Sequence, residues 1–229
     1  MDPRPRGPSP RAFIPLTLLA LLELWGCAAR SQVPVTAEND AFASWGMAGA
    51  EAVDADAEAR ASAEALTAWL TSPADWRTFD AERLEGEVYR QVNVFRVGEG
   101  ISALKWSPRL AQAARAHSEE LAVYGQLSHE SPSNPRVGPE DRALLVGLSF
   151  RALAENVAME PLVRVQWESG RQELYTWAEV AANVARGWAE SPPHRENLLR
   201  KDLRETGLGA ALSTQGDAPR VYLTEDLLR

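Results

Sequence analysis

Thr176-Trp-Ala-Glu-Val-Ala-Ala-Asn-Val-Ala-Arg-Gly-Trp-Ala-Glu-Ser-Pro-Pro-His-Arg-Glu-Asn-Leu-Leu199 carries a helix, its start signal and a histidine just past its end. Thr176 and Glu179 stand at capping-box spacing, so each side chain can satisfy a backbone N–H that the first turn leaves unpaired. Val180, Val184 and Trp188 repeat every four residues and lay one apolar stripe along the helix. Pro192-Pro193 removes two N–H donors and is expected to end it. His194 follows directly, and the chain of 229 residues has only two other histidines, His117 and His129.

Working outward, the same periodicity recurs upstream. Leu84, Val88, Val92 and Phe95 make a helical stripe that Asp80 can cap and that Gly98 and Gly100 end. Ser107-Pro108 opens a second helix, with a capping hydroxyl and a proline in the first turn. Its inner face is Leu110, Ala114, His117 or Ser118, and Leu121. Residues 130–141 read as loop, and Ala143 to Val157 as irregular backbone leading into a strand. Leu162 to Gln166 alternates weakly. Gly207–Leu212 and Arg220–Thr224 read as strands around a turn at Gln215-Gly216-Asp217. Helices mixed with a terminal hairpin imply an α+β layered domain. There is no internal repeat, no phosphate-binding Gly-rich loop and no G-x-S-x-G elbow.

The first thirty residues read as an address. Arg4, Arg6 and Arg11 precede an apolar run, Ala12 to Trp25, broken by Pro15 and Glu23 and short for a bilayer span. Leu24-Trp25-Gly26-Cys27 resembles a bacterial lipobox, which implies a leader at 1–26, cleavage before Cys27 and lipid on that cysteine. The other reading is an ordinary secretory leader with an incidental cysteine. Cys27 is the one cysteine of the chain, so no internal disulfide can form. Residues 27–80 are expected to be a lipidated N-terminus and tether. Their part from 33 to 80 holds nine acids against Arg60 and Arg77, a solvated composition. Ala61 to Leu70 can be a short helix anchored by Leu66, Trp69 and Leu70. It can serve as a spacer, or dock on the domain through Trp69 and Trp76. The net charge is −8, and losing the leader makes it one unit more negative. That excludes an overall basic nucleic-acid binder and argues against adhesion to anionic polymers, although local patches are not visible in composition.

Four blocks, in order across residues 81–229, resemble the CAP superfamily (the SCP, or cysteine-rich secretory, antigen 5 and pathogenesis-related 1 domain) in its bacterial form. They are Val92-Asn-Val-Phe-Arg96 with Leu104-Lys-Trp106 and Ala113–Ser118; Leu127-Ser-His-Glu-Ser131; Ala154-Glu-Asn-Val-Ala158; and Trp188–Leu199, closing with Thr206–Gly209 and Val221–Glu225. The resemblance implies an α-β-α sandwich with a cleft lined by two histidines and up to two acids. By matching motifs these are His129, His194 and Glu155. The family's second acid falls at Ser191 here, with Glu190 one residue short, a turn of about 100° on a helix. The ligand-cleft set is therefore His129, Glu155, His194, Ser191 and Glu190. The resemblance admits zinc on His129 and His194, with Glu155 as third ligand, orienter or general base, and so as candidate catalytic residue. The same groups can instead form a polar cluster that holds loops together.

His117 reads as a core histidine and Glu179 as a cap. Asn156 and Asn197 are expected to bond loop backbone, and Arg195 to meet an acid or the chain near Glu155. Trp106, Trp177 and Trp188 read as core. Three functions are compatible with these residues. The first is an exported, lipid-anchored envelope module binding a ligand or partner in the His-Glu-His cleft. The second is a metal-dependent hydrolase of envelope polymers. The third is a lipid- or sterol-binding protein using residues 145–165. The membrane, through Cys27, is the one partner named; nucleic acid is not expected.

Overall fold

The computed structural model describes residues 55–165 and 170–229, with side chains from residue 58 onward. The leader, Cys27, the first part of the acidic segment and Gln166 lie outside the described residues.

The elements, in order, are α1 (Ala55–Thr71), α2 (Ala81–Gly98), β1 (Lys105–Trp106), α3 (Pro108–Tyr124), α4 (Pro139–Leu145), β2 (Leu153–Pro161), β3 (Val163–Val165), β4 (Gln172–Leu174), α5 (Trp177–Glu190), α6 (Pro192–Leu199), β5 (Glu205–Ser213) and β6 (Arg220–Leu228). A four-stranded sheet runs β1-β5-β6-β2, and β3 and β4 form a separate ribbon. β5 and β6 are the expected hairpin, longer than the sequence suggested, with β2 antiparallel to β6 and β1 parallel to β5.

The sheet separates two layers of helix. Leu208 and Ala210 of β5, Val221, Leu223 and Leu227 of β6, and Ala154 of β2 point to one face. There they meet Leu84, Val88 and Val92 of α2 and Trp177, Val180, Val184 and Trp188 of α5. The alternate residues point to α3. Gly207 and Gly209 leave room for it: a Cβ at Gly209 would lie 2.1 Å from the Arg115 nitrogen, and one at Gly207 2.1 Å from that of Ala111. The fold is α+β, an α-β-α sandwich.

Local signals account for most helix ends. Asp80 caps α2 by accepting from the Arg83 N–H at 3.1 Å, and Thr176 and Glu179 form the reciprocal box on α5. Ser107 is the N-cap of α3, but its hydroxyl makes no capping bond; Pro108 and the fixed φ of its ring start the helix. Pro192-Pro193 does not lead into loop. Ser191 closes α5 and opens α6, with the prolines in the first turn, where a missing N–H costs nothing. The 130–141 loop likewise gives way at Pro139 to the seven-residue α4.

Trp69 near the end of α1 stacks on Trp177 of α5 at 5.0 Å, and its indole N–H donates to the Thr78 carbonyl. Trp76, by contrast, stays exposed under the Arg77 guanidinium. Trp177 and Trp188 are core. Trp106 is not: it is 36% exposed on the two-residue β1 and meets Tyr89 edge-on. Among the described residues no helix is long and apolar enough to cross a membrane.

Candidate functional site

Glu155 sits on β2, an outer strand of the sheet, and points to the α3 side. It is buried, and both of its oxygens are engaged. Oε1 accepts from His129 Nδ1 at 2.8 Å, and Oε2 accepts from the Arg142 guanidinium. Arg142 also donates to the His129 carbonyl at 3.0 Å. One buried arginine thus holds the carboxylate and the loop that carries the histidine. α4 exists to deliver it: Arg142 and Ala143 are its buried residues.

His129 is anchored at Nδ1 while its side chain stays 49% exposed. Its hydrogen bond to Glu155 raises its pKa above the ordinary imidazole value, and the neighbouring carboxylate charge adds to this. His194, in the first turn of α6, is half-buried. Burial first, then the charge of His129, lowers its pKa. The two imidazoles are therefore close enough to repel, with the proton favoured on His129. α6 is held to the open edge of β2 by Asn197, whose amide donates to the Glu155 carbonyl at 3.1 Å and to Asn156 Oδ1 at 3.0 Å. The Trp188 indole donates to the Val157 carbonyl farther along the same edge. Side chains thus occupy backbone groups that a neighbouring strand would otherwise use.

The sequence-chosen residues divide. His129 and Glu155 are bonded, and His194 is electrostatically beside them. Glu190 is exposed, and neither it nor the Ser191 side chain bonds to any of the three among the described residues. Arg195 meets an acid, as expected, and that acid is Glu99 at 3.1 Å; its guanidinium also lies over the Phe95 ring at 5.0 Å. Asn156 bonds a buried carboxyl, Glu225 Oε2 at 3.0 Å, rather than loop backbone. His117 is fully buried, with Nε2 donating to the Ser128 carbonyl at 2.9 Å. The Ser118 hydroxyl lies within 2.9 Å of the Gly209 carbonyl and of Thr224 Oγ1, so it faces no imidazole.

Two residues behind the site were not foreseen. Arg142 has no partner readable from spacing. Asp226 pairs with Glu155 across β2 and β6, so both carboxyls project from the same face. Asp226 is fully buried, and neither of its oxygens meets a hydrogen-bond donor. Burial, then the charge of Glu155, raises its pKa well above the ordinary carboxylate range. On the other face Glu225 accepts from Asn156 and Thr206, and burial pushes its pKa up to about 7.

Zinc fits this donor set poorly. Among the described residues no group of three or more His, Cys, Asp or Glu is arranged to hold a metal. Glu155 is spent on His129 and Arg142, which leaves two imidazoles where zinc sites of either kind use at least three protein ligands. A groove of about 500 Å³ lies away from residues 145–165, against β5, between Phe79, Arg115, Glu119 and Leu212.

Known proteins similar to this chain include two from one organism. The chain is 26% identical over 145 residues to the uncharacterized membrane protein YlbC of Bacillus subtilis (strain 168), covering 63% of this chain and 34% of that one. It is 24% identical over 152 residues to the uncharacterized protein YkwD of the same organism, covering 66% and 50%. The chain thus spans half or less of the length of these relatives. Among solved structures, an extracellular SCP-domain protein of Bacillus anthracis aligns with a TM-score of 0.49 at 21% identity, covering 65% of this chain and 41% of that one. An outer surface protein of Borrelia burgdorferi aligns at 0.48 and 16%, covering 66% and 96%. The cysteine-rich secretory protein (CAP) family matches residues 89–227, more than half of the sequence, and the chain belongs to that family.

Proposed function

We propose that the protein is a lipid-anchored module of the cell envelope whose His129–Glu155–His194 cleft binds a ligand or partner. The observation that carries this is the asymmetry of the two imidazoles. His129 is fixed from behind by a buried carboxylate and keeps its side chain half exposed, while His194 lies near enough to feel its charge and has a depressed pKa. A protonated imidazole is a donor only, and a neutral one adds an acceptor. Such a pair suits a ligand that presents an acceptor beside a hydroxyl or amide. Glu155 is a positioning residue in this reading, because its oxygens do not reach the open side. Arg142 holds it in place.

Perturbation of the two imidazole resonances by small carboxylate, polyol and glycan probes tests this, with His129→Ala and His194→Ala as controls. Saturable shifts in the wild type, lost in both variants, are expected. A wild type that responds to none of the probes and retains no envelope component on a pull-down overturns the reading. Zinc, if taken up, would rest on His129 and His194 with Glu155 as orienter. Metal analysis at neutral pH is expected to give less than one equivalent, and a full equivalent lost in both variants would restore the hydrolase alternative. Export and the anchor are tested by acyl labelling, which is expected to vanish in Cys27→Ser.

A further inference from the structure

The chain is acidic overall, yet one end of its sheet is not. Lys105 opens β1, Arg204 precedes β5, Arg229 follows β6 and Arg151 precedes β2. Backbone bonds tie these positions into one row. The Lys105 N–H donates to the Arg204 carbonyl at 2.9 Å and that of Arg204 to the Leu228 carbonyl at 2.9 Å. The N–H of Arg229 donates to Ala152 at 2.9 Å and that of Arg151 to Arg229 at 2.6 Å. Every strand of the sheet therefore presents a basic residue at the same end, across a span of about 15 Å at ordinary strand spacing. All four are exposed. None pairs with a carboxylate among the described residues. Lys201, exposed in the turn before Arg204, and Arg109, at the start of α3, add two more cations that pair with no carboxylate among the described residues. Acids also lie at this end: Asp202, paired with Arg200 at 2.8 Å and close enough to feel the charge of Arg229, Glu196 near Arg200, and half-buried Glu205.

Apolar side chains adjoin the row. Arg109 donates to the Gly147 carbonyl at 3.3 Å, which ties it to the turn after α4. Just before that turn stand Leu144 and Leu145, 58% and 80% exposed. Two adjacent leucines left in water serve neither the core nor the cleft. Exposed apolar residues rimmed by cations are the makeup of an interfacial membrane contact, in which charge attracts the headgroups and the apolar part enters the acyl boundary. Net charge cannot supply this attraction, because at −8 it repels an anionic surface; this end of the described domain is locally complementary to one.

We propose that this end of the domain is a membrane-docking face that seats on anionic headgroups, with Leu144 and Leu145 entering the interface. It adds a second, reversible contact to whatever the N-terminus provides, and it fixes which way the domain faces.

The test is vesicle binding by the full chain, comparing phosphatidylcholine alone with phosphatidylcholine containing about one-third phosphatidylglycerol, at low and high salt. Any N-terminal contribution is common to all variants. Each basic residue near an anionic surface is worth about fivefold, so Lys105→Glu/Arg151→Glu/Arg204→Glu is expected to lose at least about a hundredfold in affinity for the anionic vesicles. The neutral set Lys105→Gln/Arg151→Gln/Arg204→Gln, milder on the fold, is expected to lose less, in the same direction. Leu144→Ser/Leu145→Ser is expected to weaken binding at both salt concentrations. Arg77→Glu/Arg136→Glu/Arg186→Glu, an equal change of charge elsewhere, is expected to keep most of the preference. Equal binding to both vesicles, or an equal loss from the remote set, overturns the proposal. So does heparin binding as tight as vesicle binding and indifferent to the leucines, which would assign the row to a soluble polyanion.

Discussion

At the scale of single residues, the candidate site is one buried carboxylate held between two cationic groups of different permanence. Arg142 is always charged, whereas His129 is charged only when protonated. Glu155 and Arg142 shift the His129 pKa in opposite directions, Glu155 up and Arg142 down. Two variants should therefore move it oppositely. Glu155→Gln removes the negative partner and should lower the His129 pKa, whereas Arg142→Met should raise it further. Titration of the imidazole nitrogens by NMR reads both, and shifts in the same direction would refute the electrostatic account. Stability carries a second signature. Arg142→Met leaves Glu155 and Asp226 facing each other on one buried face without their cation. Stripping one partner from a buried ion pair costs about 3–5 kcal/mol. A chemical-denaturation loss below about 1 kcal/mol would mean that water already solvates these carboxyls.

Between elements, the decisive contact is α3 lying on β5 at the two glycines. The atoms that a Cβ at Gly209 would strike belong to the α3 backbone at Ala114 and Arg115, so no rotamer change relieves them and the helix itself must lift. Gly209→Ala should thus cost about 3 kcal/mol, at the upper end for overpacking. A melting temperature within a degree or two of wild type would show that α3 is not seated this tightly. Trp69→Ala should cost about 3–5 kcal/mol as a large aromatic core deletion, and should expose α1 to limited proteolysis before the sheet. These elements differ in how far the sequence disclosed them. α2, α3 and α5 were legible because each carries an apolar stripe, and two of the three a side-chain cap. α6 was hidden because Pro-Pro is equally compatible with stopping one helix and starting the next. α4 is too short for periodicity to register, and Arg142 was hidden with it. His129, Glu155 and His194 came from the order of motifs. Asp226 became visible only through strand register, which joins positions that no local spacing connects.

For the molecule as a whole, the unusual feature is two consecutive carboxyls, Glu225 and Asp226, buried on opposite faces of a central strand. Burial raises both pKa values, and for Glu225 the shift is from 4.5 to about 7. The native state then keeps a proton that the unfolded chain has already released between those values. The resulting stabilisation is complete below pH 4.5 and is lost as the pH rises through 7. At 1.36 kcal/mol per unit, the loss for Glu225 is on the order of 3 kcal/mol. Other groups overlay this. His117 and His194, with lowered pKa values, lose stability as the pH falls below the ordinary histidine value. The raw pH profile is therefore a sum, and the difference between two proteins isolates the carboxyl. Glu225→Gln keeps an oxygen to accept from Asn156 or Thr206 and cannot ionise. Urea denaturation at half-unit steps from pH 4.5 to 8 should show the wild type losing about 3 kcal/mol relative to Glu225→Gln, with most of the change between pH 5 and 7.5. Adding Asp226→Asn should extend the gain to higher pH, since that carboxyl also resists ionisation beside Glu155. A difference profile that stays flat across the range would place Glu225 in contact with water. The buried surroundings of Glu225, at Asn156, Thr206 and Arg96, would then be hydrated rather than part of the core.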